Sequence, residues 1–76
     1  MEDDRVVGTI GRVTVPIPDR GPGEVVVPIR GGSEAFAAWA DHPISKNTQV
    51  LVIEQPTPRS VVVTPFVTTA SLLQEY

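Results

Sequence analysis

Proline and glycine punctuate this chain so often that only short elements fit between them. Eight Pro and six Gly fall within 76 residues, and the stretches they leave are rich in Val and Ile. Gly and Pro make tight turns, and β-branched residues pack well on a pleated surface, so the pattern predicts many short strands rather than helices. Pro in turns also lowers the entropy of the unfolded chain. That matters for a single domain of 76 residues, which buries only a modest fraction of its surface. The usual staples are missing. With no Cys there is no disulfide or thiolate metal site, and a single His, His42, builds no His-based site without carboxylate help.

The first apolar run, RVVGTIGRVTVPI at 5–17, reads as strand, and Gly8 and Gly11 interrupt it. Either it is one long strand that bends at the glycines and serves both sheets of a barrel, or two short strands flank a loop at 8–11. No GK[ST] follows, so it is not a phosphate loop. PDRGPG at 18–23 is a turn. EVVVPIR at 24–30 then alternates, which predicts Val25, Val27 and Ile29 toward a core and Glu24, Val26, Pro28 and Arg30 away from it. Pro28 has no N–H, so its nitrogen should face outward from an edge or sit at a bulge. Residues 30–32 make the next turn.

SEAFAAWAD at 33–41 is open between helix and strand. Four Ala favour helix, with Ser33 as N-cap and Pro43 as the stop. As a strand, the segment pairs with 24–30 in a simple hairpin. Phe36, Ala38 and Ala40 would then share one face, and Trp39, Ala35 and Ala37 the other. HPISKN at 42–47 reads as a loop whose Ile44 plugs the barrel end and whose Asn47 suits left-handed backbone geometry. QVLVIE at 49–54 and RSVVVT at 59–64 are strands, with QPTP at 55–58 separating them. Both are apolar on both faces, so the outer face needs a cover, either a neighbouring segment or a partner. The acidic 1–4 is expected to be mobile. The tail 67–76 carries Thr68, Thr69 and Ser71 as possible caps before Leu72, Leu73 and Tyr76, is too short for a stable free helix, and would need docking to be ordered.

The search for chemistry is less productive. Ser33, Ser45, Ser60 and Ser71 lie in or beside turns and strand ends, where they serve backbone hydrogen bonds, and none has an evident base and orienting group. Asp41 and His42 are neighbours in sequence and on a strand would point apart, which argues against a shared metal or proton relay. Glu24, Glu34, Asp41 and Glu54 fall at strand ends, where solvated charges sit. The expectation is no enzyme, no metal and no cofactor. Six basic residues, spread out and outnumbered by nine acids, make a poor phosphate-backbone surface, so nucleic acid is not the expected partner. No apolar run approaches the ~20 residues that cross a bilayer, and MEDD is the opposite of a signal peptide's basic start. The expected location is cytoplasmic, with any membrane association supplied by a partner or by segments outside this chain.

The strand and loop AFAAWADHPISKNTQVLVIE, followed by RSVVVTPF, resemble the C-terminal domain of the NfeD family. The family pattern is an aromatic and a small residue in the third strand, then I-P-x-G-T-x-V-x-V, then a closing strand ending in x-V-x-P. Phe36 and Ala38, then Ile44, Thr48, Val50 and Val52, then Val61, Val63 and Pro65 match it; Ser45 and Asn47 replace the family Pro and Gly. The likeness spans about 7–66. It implies an all-β, five-stranded Greek-key barrel of the oligonucleotide/oligosaccharide-binding (OB) type over 5–66, with 33–41 as strand and a possible short C-terminal helix or extended tail. It also implies a non-enzymatic protein-interaction module whose partner is a stomatin/flotillin-like SPFH-domain protein of bacterial membrane microdomains. The family's membrane-spanning helices and the serine-protease domain of its longer members are missing here, so this is a short member or a domain cut from a longer chain. Two other functions remain open: a single-stranded nucleic-acid-binding barrel and a self-associating structural module. The candidate partner-binding residues are Trp39, Val62, Phe66, Leu72, Leu73 and Tyr76, the apolar side chains of the third strand, the last strand and the tail that one barrel core does not absorb.

Overall fold

Valines on the inner face of four strands, with Phe36 and Ala38 on the fifth, close this chain into a barrel. The computed structural model describes residues 6–66. Its strands are β1 (Ile10–Val15), β2 (Gly23–Ile29), β3 (Gly32–Trp39), β4 (Gln49–Thr57) and β5 (Ser60–Pro65). They close in the order β1-β2-β3-β5-β4, and β1 pairs on its far side with β4. Every neighbouring pair is antiparallel except β3 with β5. This is the five-stranded OB arrangement. The acidic start and the tail 67–76 lie outside the described residues, and no described helix is long and apolar enough to cross a membrane.

Alternation places the core as the pattern requires. Val25 and Val27 of β2, Phe36 and Ala38 of β3, Val50 and Val52 of β4, and Val61 and Val63 of β5 are all buried. The segment 33–41 is strand: β3 pairs with β2 in continuous register from Gly23↔Ala38 to Ile29↔Gly32, across a two-residue turn in which Gly31 has φ +83°. Its inner face is Phe36 and Ala38, with Ala40 packed on the core, while Trp39 lies outside. Ile44 plugs one barrel end, exchanging two 2.9 Å backbone hydrogen bonds with Ile17. Asn47 takes φ +74°, and its N–H donates to the Val13 carbonyl at 2.7 Å, stitching the loop to β1.

Three expectations need correction. First, the opening run is neither one long strand nor two. Residues 6–8 form a turn with Gly8 at φ +90°, and β1 begins only at Ile10. Gly11 is inside the strand for a different reason: a Cβ there would lie 2.7 Å from the Val26 carbonyl oxygen and 2.9 Å from Val25 Cγ1. Its missing side chain lets β1 coil tightly over β2 while it also pairs with β4. Second, Ile29 is 38% exposed. The β1–β2 pairing ends at Arg12↔Val26, so Ile29 has the core-facing parity but no opposing wall.

Third, 55–57 do not separate β4 from β5. The strand runs on to Thr57, and the turn is 58–59. The cause is a bulge: Val52 pairs with Val63 but Glu54 with Val62, so Ile53 and Glu54 together oppose one residue. A bulge adds a residue and reverses the inside-outside parity beyond it. Glu54, which alternation would bury with Val50 and Val52, is exposed, and Gln55 turns inward to 5% exposure. There Gln55 Oε1 accepts the Val6 N–H at 3.3 Å and Nε2 donates to the Pro58 carbonyl at 3.5 Å. One amide ties the N-terminal turn to the β4–β5 turn.

Gly11→Val should lower unfolding free energy by about 1–3 kcal/mol in urea titrations, as overpacking does. Gly32→Ala, where a Cβ meets nothing within 4 Å, should stay within about 0.5 kcal/mol of the parent. Gln55→Leu leaves the buried Val6 N–H and the Pro58 carbonyl without their side-chain partners, and should cost about 1–3 kcal/mol in the same assay.

Candidate functional site

The outward face of β3, β5 and β4 carries the apolar side chains that the core leaves over. Trp39 is the last residue of β3 and pairs in parallel register with Val62, directly after the buried pair Ala38↔Val61. Residues in register share a face, so Trp39 and Val62 both point away from the core. Val62 in turn opposes Glu54, and the bulge sets Ile53 beside it. Leu51 continues the row opposite Thr64, and Ile10 of β1 pairs with Leu51. The result is an apolar stripe across four strands, with Trp39 40% exposed, Ile53 45% exposed, and Val62, Leu51 and Ile10 half-buried.

Sequence reasoning named Trp39 and Val62, and the register brings them together. Phe66 is half-buried and donates its backbone N–H to the Gln49 carbonyl at 2.9 Å, so it follows Pro65 at the other end of β5 and is separated from Trp39 along the strand. Leu72, Leu73 and Tyr76 lie outside the described residues. Ile53, Leu51 and Ile10 belong to the same surface, which no single strand reveals. Pairing across strands that are distant in sequence assembles it, and the only local signal was the double-faced apolar character of 49–54.

Polar groups elsewhere on the barrel act on the fold. Thr14 Oγ1 donates to Glu24 Oε1 at 2.7 Å, joining β1 to β2, so Glu24 is not simply a solvated strand-end charge. Thr57 Oγ1 and Ser60 Oγ share a 2.7 Å hydrogen bond across the β4–β5 turn. His42 Nδ1 and Asp41 Oδ1 are 2.6 Å apart, although alternation had placed them on opposite faces. Both lie past the end of β3, where the chain bends and strand parity no longer applies. The two side chains are largely exposed, and among the described residues no three His, Cys, Asp or Glu side chains come together in a group that could hold a metal. What the stripe offers is an apolar contact area with an aromatic at one end.

The chain is a small five-stranded closed β-barrel whose outer face carries an apolar stripe left uncovered by the other described residues. Residues 10–64 match the family model of the NfeD C-terminal domain, and the chain belongs to that family. The soluble domain of the NfeD protein YuaF from Bacillus subtilis superposes with a TM-score of 0.72 at 33% identity, over 84% of this chain and 77% of that one. The C-terminal domain of stomatin operon partner protein 1510-C from Pyrococcus horikoshii superposes with a TM-score of 0.67, over 86% of this chain and 94% of that one. At 22% identity, that second likeness speaks to the fold. No curated protein matches the chain.

Substitutions separate the stripe from the core. Phe36→Ala should cost about 3–5 kcal/mol in chemical denaturation, because it empties the largest fully buried side chain in the barrel. Trp39→Ser should cost about 1 kcal/mol, because that ring already faces solvent over much of its area.

Proposed function

We propose that this chain is a non-enzymatic protein-interaction module that docks an SPFH-domain protein of the stomatin/flotillin kind through the Trp39 stripe. The observation that carries the reading is the exposed Trp39 set in register with Val62 and beside the bulged Ile53. Exposed apolar area on a small domain is costly unless a partner covers it, and Trp is among the residues that dominate interface energetics. Membership of the NfeD family and the stomatin operon partner named among the solved relatives supply the kind of partner. An SPFH protein would also bring the module to a membrane that no described helix of this chain enters.

A nucleic-acid role draws less support from this surface. Stacking successive bases takes several exposed aromatics, and the described ones are Phe36, which is in the core, the half-buried Phe66 and Trp39. Self-association would use the same stripe, and one experiment distinguishes it from docking.

Hydrogen exchange with and without an SPFH-domain protein should show slowed exchange in the backbone beneath Trp39, Val62 and Leu51. Trp39→Asp should weaken binding by about 30-fold or more, the loss expected of a central hot spot. Protection elsewhere with those strands unchanged would refute the proposed surface. The same protection from raising this chain's own concentration, with none added by the SPFH protein, would assign the face to self-association.

A further inference from the structure

The Trp39 stripe has an occupant within its own chain's reach. Val62 and Thr64 are outward side chains of β5, and the ladder runs one residue past the strand, where the Phe66 N–H meets the Gln49 carbonyl at 2.9 Å. Two-residue alternation puts Phe66 on that same outward face. The chain therefore leaves the barrel on the side that carries the stripe. Residues 67–76, VTTASLLQEY, follow from there and lie outside the described residues.

Length and charge both suit a return path. Trp39 lies four residues back along β5 from Phe66 and one strand across, about 14 Å at β-sheet spacings. The step from Phe66 to Leu72 can span about 20 Å when extended, which leaves slack for a reversal. Further back along β5, the Arg59 carbonyl accepts the Ala37 N–H at 3.1 Å, so Arg59 stands beside β3 in the β4–β5 turn. Its side chain is exposed and has no ion-pair partner among the described residues. Glu75 follows Leu73 by two positions, so a segment that sets its leucines on Trp39 and Val62 carries a carboxylate toward Arg59. Tethering favours this segment over a second copy. A short linker holds its end at a local concentration on the order of 1 mM, far above that of a free molecule at micromolar levels.

We propose that residues 70–76 fold back over the stripe, Leu72 and Leu73 against Trp39 and Val62 and Glu75 against Arg59, and that an SPFH-domain partner has to displace them. The competition rests on the docking face proposed above; the cover itself does not. A partner's apparent affinity falls with the fraction of chains left uncovered, so the segment sets a threshold for docking without adding a contact to it.

Trp39 is the only Trp, and its fluorescence reads the stripe directly. In the full chain without partner, Leu72→Ser/Leu73→Ser should raise acrylamide quenching of Trp39 about twofold, with both values constant from about 1 to 50 µM chain. Glu75→Lys should raise quenching in part, and Arg59→Glu/Glu75→Lys should restore the parental value. The double-Ser chain should bind an SPFH-domain protein about threefold more tightly than the parent. Equal quenching of parent and double-Ser chain would overturn the cover. Protection that grows with chain concentration would assign the stripe to a second copy and overturn it too. Weaker SPFH binding by the double-Ser chain would make the leucines part of the partner contact and overturn the competition. Raised quenching with unchanged SPFH affinity would uphold the cover and refute the stripe as the docking face.

Discussion

Strand parity is the constraint on which this structure rests. A strand in a small barrel has one face for the core and one for everything else, so a single inserted residue reassigns every side chain beyond it. The bulge at Ile53 and Glu54 does this in the middle of β4. Before it, Val50 and Val52 fill the core; after it, a glutamate stands in solvent and Gln55 takes the inner position. The buried amide is tolerated because both ends find backbone partners, one on each side of the barrel mouth. The same insertion pushes Ile53 out beside Val62, so one backbone irregularity sets both an internal tie and part of the external surface.

Closure imposes the second constraint. β1 pairs with β2 and β4, and to do so it must pass very close to β2 at Gly11. On the other side, the parallel pairing of β3 with β5 brings Trp39 and Val62 into register. Ile44 then seals one end against Ile17. The apolar stripe is a by-product of this closure, since it lies where β3, β5 and β4 meet.

Where alternation ran uninterrupted, it was legible in the sequence. The buried pair Val25 and Val27, the plug Ile44 and the left-handed Asn47 all follow from local pattern and turn chemistry. Segment 33–41 was not decidable locally, since its alanines favour helix; continuous pairing with β2 overrides that preference, and it was the family likeness that pointed to strand. The course of 55–57 was misread because nothing in QPTP signals a bulge two residues earlier. The Asp41–His42 contact was misjudged because strand geometry was applied past a strand's end. Trp39 could be named from its position on the outer face, but its neighbours on that face belong to strands distant in sequence.

Pro28 has a further consequence for a cell crowded with copies of this chain. A closed barrel offers little strand edge for another molecule to extend, and the parting of β1 from β2 leaves a short one. Edge-to-edge growth needs a donor and an acceptor at alternate residues along that rim, and a proline there removes a donor. Pro28 therefore leaves that short edge poorly suited to template a second strand.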